Sequence, residues 1–135
     1  VVDLEWSRWD TLAPFAWPFV GQDRADVVPP RDGTMDFFYL QNLKMGKIGL
    51  HRRTANLLFE YHFDTNVFPY AWLFASYGGF DGHYVAILEP CTIMPLSVNE
   101  AAKLNQCTVL SAGASIETTV SIYAGSSIRD GMDDF

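Results

Sequence analysis

The run Ile116-Glu117-Thr118-Thr119-Val120-Ser121-Ile122-Tyr123 decides the fold class of this chain. Four β-branched residues fall on one face of it and mostly polar residues fall on the other, which is the period of a β-strand. The alternation is strict over all eight positions. It predicts a strand over residues 116–123 at the end of a chain that is mostly β.

Upstream of this run, short stretches rich in aromatic and β-branched residues alternate with turn residues. They predict further strands at 35–40, 47–51, 56–63, 68–77, 84–88 and 107–110. Glycines at 78, 79 and 82 predict a hairpin between 68–77 and 84–88. The predicted architecture is an antiparallel β-sandwich.

The rest of the chain reads differently. Residues 1–34 are rich in proline and have no clean period, so they predict an irregular connection with one short strand at 2–6. Ser97 followed by Glu100 has the form of a capping box and predicts one short helix near 97–104. Strands occupy 35–123, and residues 124–135 are predicted to be a tail.

Composition bounds the function classes. The chain has 135 residues, of which 49% are apolar and 19% charged, so it is a folded domain and not a disordered segment. The formal net charge of -7 argues against a nucleic-acid partner, because phosphate binding needs the opposite sign. No run of roughly 18 apolar residues is present, so no membrane helix is predicted. Cys91 and Cys107 are predicted to be reduced thiols, with one disulfide as the alternative.

Glu89 is the first candidate site residue. It follows the apolar run Val85-Ala86-Ile87-Leu88 and precedes Pro90, at the predicted end of a strand. A carboxylate held beside apolar side chains is suited to act as a general base. The alternative is a solvated acid at a strand end.

His62 is the second candidate. Strand alternation places Glu60, His62 and Asp64 on one face, where they could bind a metal or shuttle protons. The alternative is the solvated face of an edge strand. Neither His51, beside two arginines, nor His83, in the glycine loop, carries a stronger signal than solvent exposure.

An aromatic row forms the third candidate. Alternation through 68–74 places Tyr70, Trp72 and Phe74 on one face. Aromatic faces stack on the apolar C–H faces of sugars, and they also fill cores. Aromatic residues make up 15% of the chain, which is enough for both uses.

The segment from Phe68-Pro69-Tyr70-Ala71-Trp72-Leu73 through Gly78-Gly79 to Leu88-Glu89-Pro90-Cys91-Thr92, followed by Leu110-Ser111-Ala112-Gly113, resembles the C-terminal part of the aldose 1-epimerase (galactose mutarotase-like) family. Trp17-Pro18 and Asp26-Val27-Val28-Pro29 are similar to that family's mid-chain connection. The resemblance extends over residues 17–123 and is sharpest around Glu89. It implies that residues 1–135 are a single domain or the C-terminal part of a larger β-supersandwich.

The resemblance also implies an activity. Family members bind a small-molecule sugar and interconvert its anomers, without a metal or an organic cofactor. A carboxylate takes the proton of the anomeric hydroxyl, and it matches Glu89. Trp72, Tyr70, Phe74 and His62 are the predicted substrate-binding residues.

Two departures from the family matter. Family members are longer, and their acid histidine lies in a part that would precede Val1, so His51, His62 and His83 do not inherit its role. Half of a supersandwich would expose strand edges and apolar surface. The sequence therefore predicts a homodimer, or pairing with the missing N-terminal half. The alternative function is a non-catalytic carbohydrate-binding or structural β-sandwich.

Overall fold

The computed structural model describes residues 7–9, 14–94 and 97–126. Within them the chain is mostly β, with three antiparallel sheets and one short helix, which confirms the predicted fold class at that level. The described residues form two compact units, one within Val1–Phe38 and Trp72–Ile87 and one within Tyr39–Ala71 and Leu88–Phe135. No helix in the described part of the chain has the length and hydropathy needed to cross a membrane.

The described strands follow the chain in this order: β1 (Phe19–Val20), β2 (Asp23–Arg24), β3 (Met35–Leu40), β4 (Lys47–Arg52), β5 (Leu57–His62), β6 (Tyr70–Tyr77), β7 (Tyr84–Cys91) and β8 (Ser121–Ser126). A 3-10 turn, Arg53–Ala55, joins β4 to β5. Strands β1 and β2, of two residues each, form a short antiparallel hairpin that the sequence did not predict. The strand predicted at 2–6 lies outside the described residues.

One sheet has the strand order β3-β6-β7, so β6 is its central strand. The predicted hairpin between β6 and β7 forms, and the Ser76 hydroxyl holds its loop by donating to the His83 carbonyl at 2.7 Å and accepting from the Phe80 amide at 3.0 Å. Strand β7 continues past Leu88 to Cys91, so Glu89 lies within the strand and not at its end. Pro90 is tolerated there because β7 is an edge strand, where a missing donor is least costly.

A second sheet has the order β4-β5-β8. Its register places Ile48 opposite Tyr61 and Tyr61 opposite Ile122. Strand β5 is therefore central, which corrects the alternative reading of its Glu60 and His62 face as the solvated side of an edge strand. The edges of this sheet are β4 and β8.

The C-terminal part differs most from the sequence-based expectation. The strand predicted at 107–110 is wrong, because Cys107 makes only an isolated bridge with Ile93. The final strand is Ser121–Ser126, so residues 116–120 stay outside it and the predicted tail begins too early. The reason is the length of β5: its last residue, His62, pairs with Ser121 and leaves no partner for earlier residues. Residues 127–135 of the predicted tail lie outside the described part.

The predicted helix is present as α1 (Val98–Lys103). Ser97 caps it by accepting from the Glu100 amide at 3.3 Å, as the capping box predicts. Asn105 ends it in the left-handed conformation with φ 53°. The Asn105 amide donates to the Ala102 carbonyl and the Gln106 amide to the Ala101 carbonyl, which is the Schellman pattern.

Candidate functional site

The two faces of β6 differ in burial. Ala75 and Tyr77 are 1% and 2% exposed, whereas Trp72 and Phe74 on the other face are half-buried. Small or enclosed residues on one face and large aromatic ones on the other give the strand one core side and one accessible side. Two of the three aromatic residues predicted from the sequence row thus lie on the accessible side of the first unit.

Trp72 and Phe74 are part of a larger cluster. The Phe37 ring lies 6.0 Å from that of Trp72 and 5.6 Å from that of Phe74, both edge to face. The Phe80 ring, in the hairpin loop, lies 5.8 Å from that of Phe74 and is 47% exposed. We call these four residues, Phe37, Trp72, Phe74 and Phe80, the aromatic patch. Mutual edge-to-face contacts fix the rings and leave part of their apolar surface in water.

The opposite side of the first unit is covered by its own chain. Phe38 is 6% exposed because rings from the irregular first third pack on it. Trp9, Phe15 and Trp17 lie 5.7, 5.8 and 5.5 Å from it, centroid to centroid. The aromatic excess of the sequence is therefore divided between an enclosed cluster around Phe38 and the accessible aromatic patch.

A buried charged cluster secures this covering. The Arg8 guanidinium donates to Asp36 Oδ2 at 2.6 Å, and Asp36 is 2% exposed. The same guanidinium lies 4.2 Å above the Trp9 ring and 4.9 Å from the Tyr77 ring. Burial, and then the charge of Asp36, raise the pKa of Tyr77 well above its ordinary value. This cluster packs residues 7–9 against β3 and β6 and was missed in the sequence, because Arg8 and Tyr77 are far apart along the chain.

Glu89 lies in the second unit, half-buried within β7. The charge of Glu89 acts on Tyr39, which is also half-buried. Burial, and then the negative charge of Glu89, raise the pKa of Tyr39 above its ordinary value. The negative charge of Glu89 therefore acts on a phenol that keeps its proton at neutral pH. Tyr39 was not among the predicted site residues, although it belongs to the aromatic-rich stretch that predicted β3.

His62 also lies in the second unit, beside Glu60. His62 Nε2 is 3.1 Å from Glu60 Oε2, and Lys47 Nζ is 3.5 Å from Glu60 Oε1. Glu60 is 7% exposed and forms the centre of this group. The alternation that grouped Glu60 with His62 was informative, but Asp64 turns away to accept from the Asn66 amide at 2.8 Å.

The group around Glu60 does not suit a metal ion. Among the described residues no three His, Cys, Asp or Glu side chains converge in a way that could hold one. Lys47 supplies a positive charge where a cation would have to lie. Glu60 and His62 form a carboxylate–imidazole pair, in which the carboxylate orients the ring.

The remaining predicted residues complete the picture. Tyr70 is half-buried at the first position of β6 and belongs to the second unit, whereas Trp72 and Phe74 belong to the first. Cys91 and Cys107 are both half-buried and are not bonded to each other. The Cys91 thiol donates to the Glu89 carbonyl at 3.2 Å, which ties the backbone on both sides of Pro90.

Comparison of the chain with protein-family models, with curated proteins and with solved structures gives no match. The candidates for a functional site are three separate groups of side chains. They are the aromatic patch in the first unit, and the Glu89–Tyr39 and Glu60–His62 pairs in the second.

Proposed function

We propose that this chain binds a sugar and acts as an aldose 1-epimerase-like isomerase in which Glu89 is the general base. The observation that supports the proposal is the half-buried Glu89 carboxylate, whose charge, after burial, raises the pKa of the Tyr39 phenol. Partial burial and a nearby donor are the surroundings in which a carboxylate performs proton transfer.

The proposed chemistry follows from these two groups. Glu89 accepts the proton of the anomeric hydroxyl, the bond between C1 and the ring oxygen breaks, and its electron pair stays on the ring oxygen. The ring oxygen takes a proton from a general acid, a role that His51, His62 and His83 do not inherit from the family pattern. Rotation about C1–C2 and reversal of these steps give the other anomer. Tyr39 stays protonated at neutral pH and is able to donate a hydrogen bond to a sugar oxygen.

In this proposal the fold of the chain corresponds to the antiparallel sandwich of the galactose mutarotase-like family. Its support is the β-rich class of the chain together with the Leu-Glu-Pro step at residues 88–90. In this proposal Tyr70 and His62, which belong to the same unit as Glu89, contact the sugar.

The test is mutarotation of galactose, glucose and 2-deoxyribose, followed by polarimetry with wild-type protein and with Glu89→Gln. We expect Glu89→Gln to slow the catalysed rate roughly 10²–10⁴-fold, the usual contribution of one general base. Glu100→Gln is the matched control, because glutamine also serves at that position of a capping box. A rate that Glu89→Gln leaves unchanged, or no acceleration of any aldose, contradicts the proposal.

A second candidate function is favoured by the aromatic patch: carbohydrate binding without turnover. Four rings held edge to face, with Phe80 47% exposed, present a surface for the C–H faces of a sugar. In that case tryptophan fluorescence changes on sugar addition, Phe74→Ala weakens the change, and Glu89→Gln leaves it intact. Binding with no mutarotation selects this second function, and no binding to any sugar rejects both.

A further inference from the structure

Residues 108–122 form a continuous exposed segment. Every residue in it is exposed, including Val109 at 73%, Ile116 at 47% and Ile122 at 61%. Glu117 is the single charged residue between Thr108 and Ser126. A stretch with strong β propensity, little charge and no proline is what a strand edge needs in order to pair with another chain.

Only part of the strand that the sequence predicts over residues 116–123 forms in the structure. Residues 114–120 belong to no helix, turn or paired strand, and no backbone hydrogen bond joins 115–120 to another described residue. Strand β8 begins directly after them and forms an edge of the β4-β5-β8 sheet. Pairing along 116–122 would therefore extend an existing sheet edge and would not require a new sheet.

The apolar face of the segment continues an apolar face of that sheet. Ile122 lies opposite Tyr61, which lies opposite Ile48. Alternation then places Val120, Thr118 and Ile116 on the same side as Ile122. The sheet next to this row is mostly apolar too, since an open depression on the same face is lined by Leu50, Leu57, Phe59 and Ala124, with Arg52 as its one charged residue.

We propose that residues 116–122 are a homodimerisation strand, which pairs antiparallel with residues 116–122 of a second copy of the chain. The pairing is centred on Thr119, so that Thr119 faces Thr119 of the second copy. Ile116 then lies opposite Ile122 of the second copy, and Thr118 lies opposite Val120 of the second copy. Two β4-β5-β8 sheets join through this pair across a two-fold axis.

The self-complementarity of residues 116–122 indicates that their partner is a second copy of the chain. An antiparallel pair centred on a residue keeps the same face of both strands together, so the apolar positions meet one another. Centring on Glu117 would place the two carboxylates opposite each other, which is repulsive. Centring on Thr119 instead places each Glu117 opposite Ser121 and brings both isoleucines of one strand opposite isoleucines of the other.

Charge points the same way. Each chain carries a formal net charge of -7, so two copies repel unless the contact itself is nearly uncharged. The mostly exposed segment between Thr108 and Ser126 meets this condition, because Glu117 is its one charged residue and faces a serine in the proposed register.

Analytical ultracentrifugation of the 135-residue chain over a wide concentration range tests the dimer. We expect a reversible dimer whose dissociation constant rises at least about tenfold in Val120→Lys, because two lysines enter the apolar row of the interface. Val98→Lys is the matched control: Val98 is 70% exposed on α1, so the dimer should persist. Circular dichroism confirms that both variants fold.

The register has its own test, in a background with Cys91→Ser and Cys107→Ser. Thr119→Cys should form an intermolecular disulfide under mild oxidation, since directly opposite residues bring Cβ atoms to about 4.5–5.5 Å. Val120→Cys should not, because in this register two copies of residue 120 are diagonal neighbours. A monomer at every concentration, a dimer indifferent to Val120→Lys, or cross-linking through residue 120 in place of residue 119 overturns the proposal.

Discussion

Strand β6 and residues 116–120 carry similar sequence signals and have different surroundings. Both combine β-branched or aromatic residues with alternation, and both were predicted to be strands. Strand β6 lies between β3 and β7, and Ala75, Ser76 and Tyr77 in it are at most 2% exposed. Residues 116–120 are exposed throughout and pair with no described strand.

The difference teaches that alternation assigns faces but does not supply partners. For β6 a partner follows at once, because a short glycine loop held by Ser76 returns the chain as β7. For residues 116–120 the nearest candidate, β5, ends at His62, where Asp64 turns the backbone through its bond to the Asn66 amide. Residues 116–120 extend beyond the end of β5, so their backbone groups remain available to pair with another strand.

Among the predicted substitutions near β6, removal of Arg8 should cause the largest loss in the free energy of unfolding. Arg8→Met leaves the Asp36 carboxylate, 2% exposed, without its cation beside the end of β6. Breaking a buried pair in this way costs about 3–5 kcal/mol, since an uncompensated charge is left in a poorly solvated place. Urea unfolding monitored by tryptophan fluorescence measures the change in the free energy of unfolding.

The matched control for that variant is Arg24→Met. Arg24 pairs with Asp26, but its side chain is 53% exposed, so water replaces the lost partner. We expect its unfolding midpoint to stay close to that of the wild type. Equal losses in the two variants would show that burial of the Arg8–Asp36 pair is not what secures the first third of the chain.

A smaller loss of stability is expected from substitution of a glycine in the turn next to each region. The two glycines are Gly79, in the loop between β6 and β7, and Gly113, before residues 116–120. A Cβ added at Gly79 would lie 2.9 Å from the Gly33 carbonyl oxygen and from the Thr34 backbone, so Gly79→Ala forces the hairpin loop away from residues 33–34. Overpacking of this kind costs about 1–3 kcal/mol. The free energy of unfolding from urea titration provides the measurement.

Gly113→Ala is the comparison for that variant. Gly113 has φ 79° with no atom within 4 Å of an added Cβ, so alanine there meets backbone strain but no clash. Because the residues after it are exposed, the strain is relieved locally and the global loss should be well below that of Gly79→Ala. A larger loss for Gly113→Ala would show that residues 114–120 are held by contacts in the isolated chain.

The sequence predicts local features of this molecule well and distant ones poorly. The aromatic stretch at 35–40, the glycine loop and the Ser97–Glu100 cap each depend on neighbouring residues, and all three form. Glu60 with His62 also follows from alternation. Arg8 with Asp36, Tyr39 with Glu89, and Phe37 with Trp72 join distant residues, and only the strand order brings them together. The length of β5, which ends β8 at Ser121, is likewise a tertiary property.

The smallest predicted effect is the pH dependence of stability that comes from ionisation of Tyr77, at the end of β6. Burial, and then the charge of Asp36, raise its pKa above the ordinary value of 10.0, so the folded state favours the neutral phenol. Its contribution is therefore complete below pH 10 and is lost as pH rises through the folded-state pKa. Over that window the group removes up to about 1.4 kcal/mol of stability per pH unit.

Tyr77→Phe isolates this contribution, because phenylalanine keeps the ring packing near Arg8 and cannot ionise. We expect the free energy of unfolding of the wild type to fall more steeply than that of Tyr77→Phe above pH 10, with the two curves parallel between pH 7 and 9. Tyr39, whose pKa is also raised, contributes equally to both proteins and cancels in the difference. Urea titrations at closely spaced pH values measure both slopes. Parallel curves above pH 10 would mean that the phenol beside Asp36 reaches water before the chain unfolds, and that the end of β6 is as open as residues 116–120.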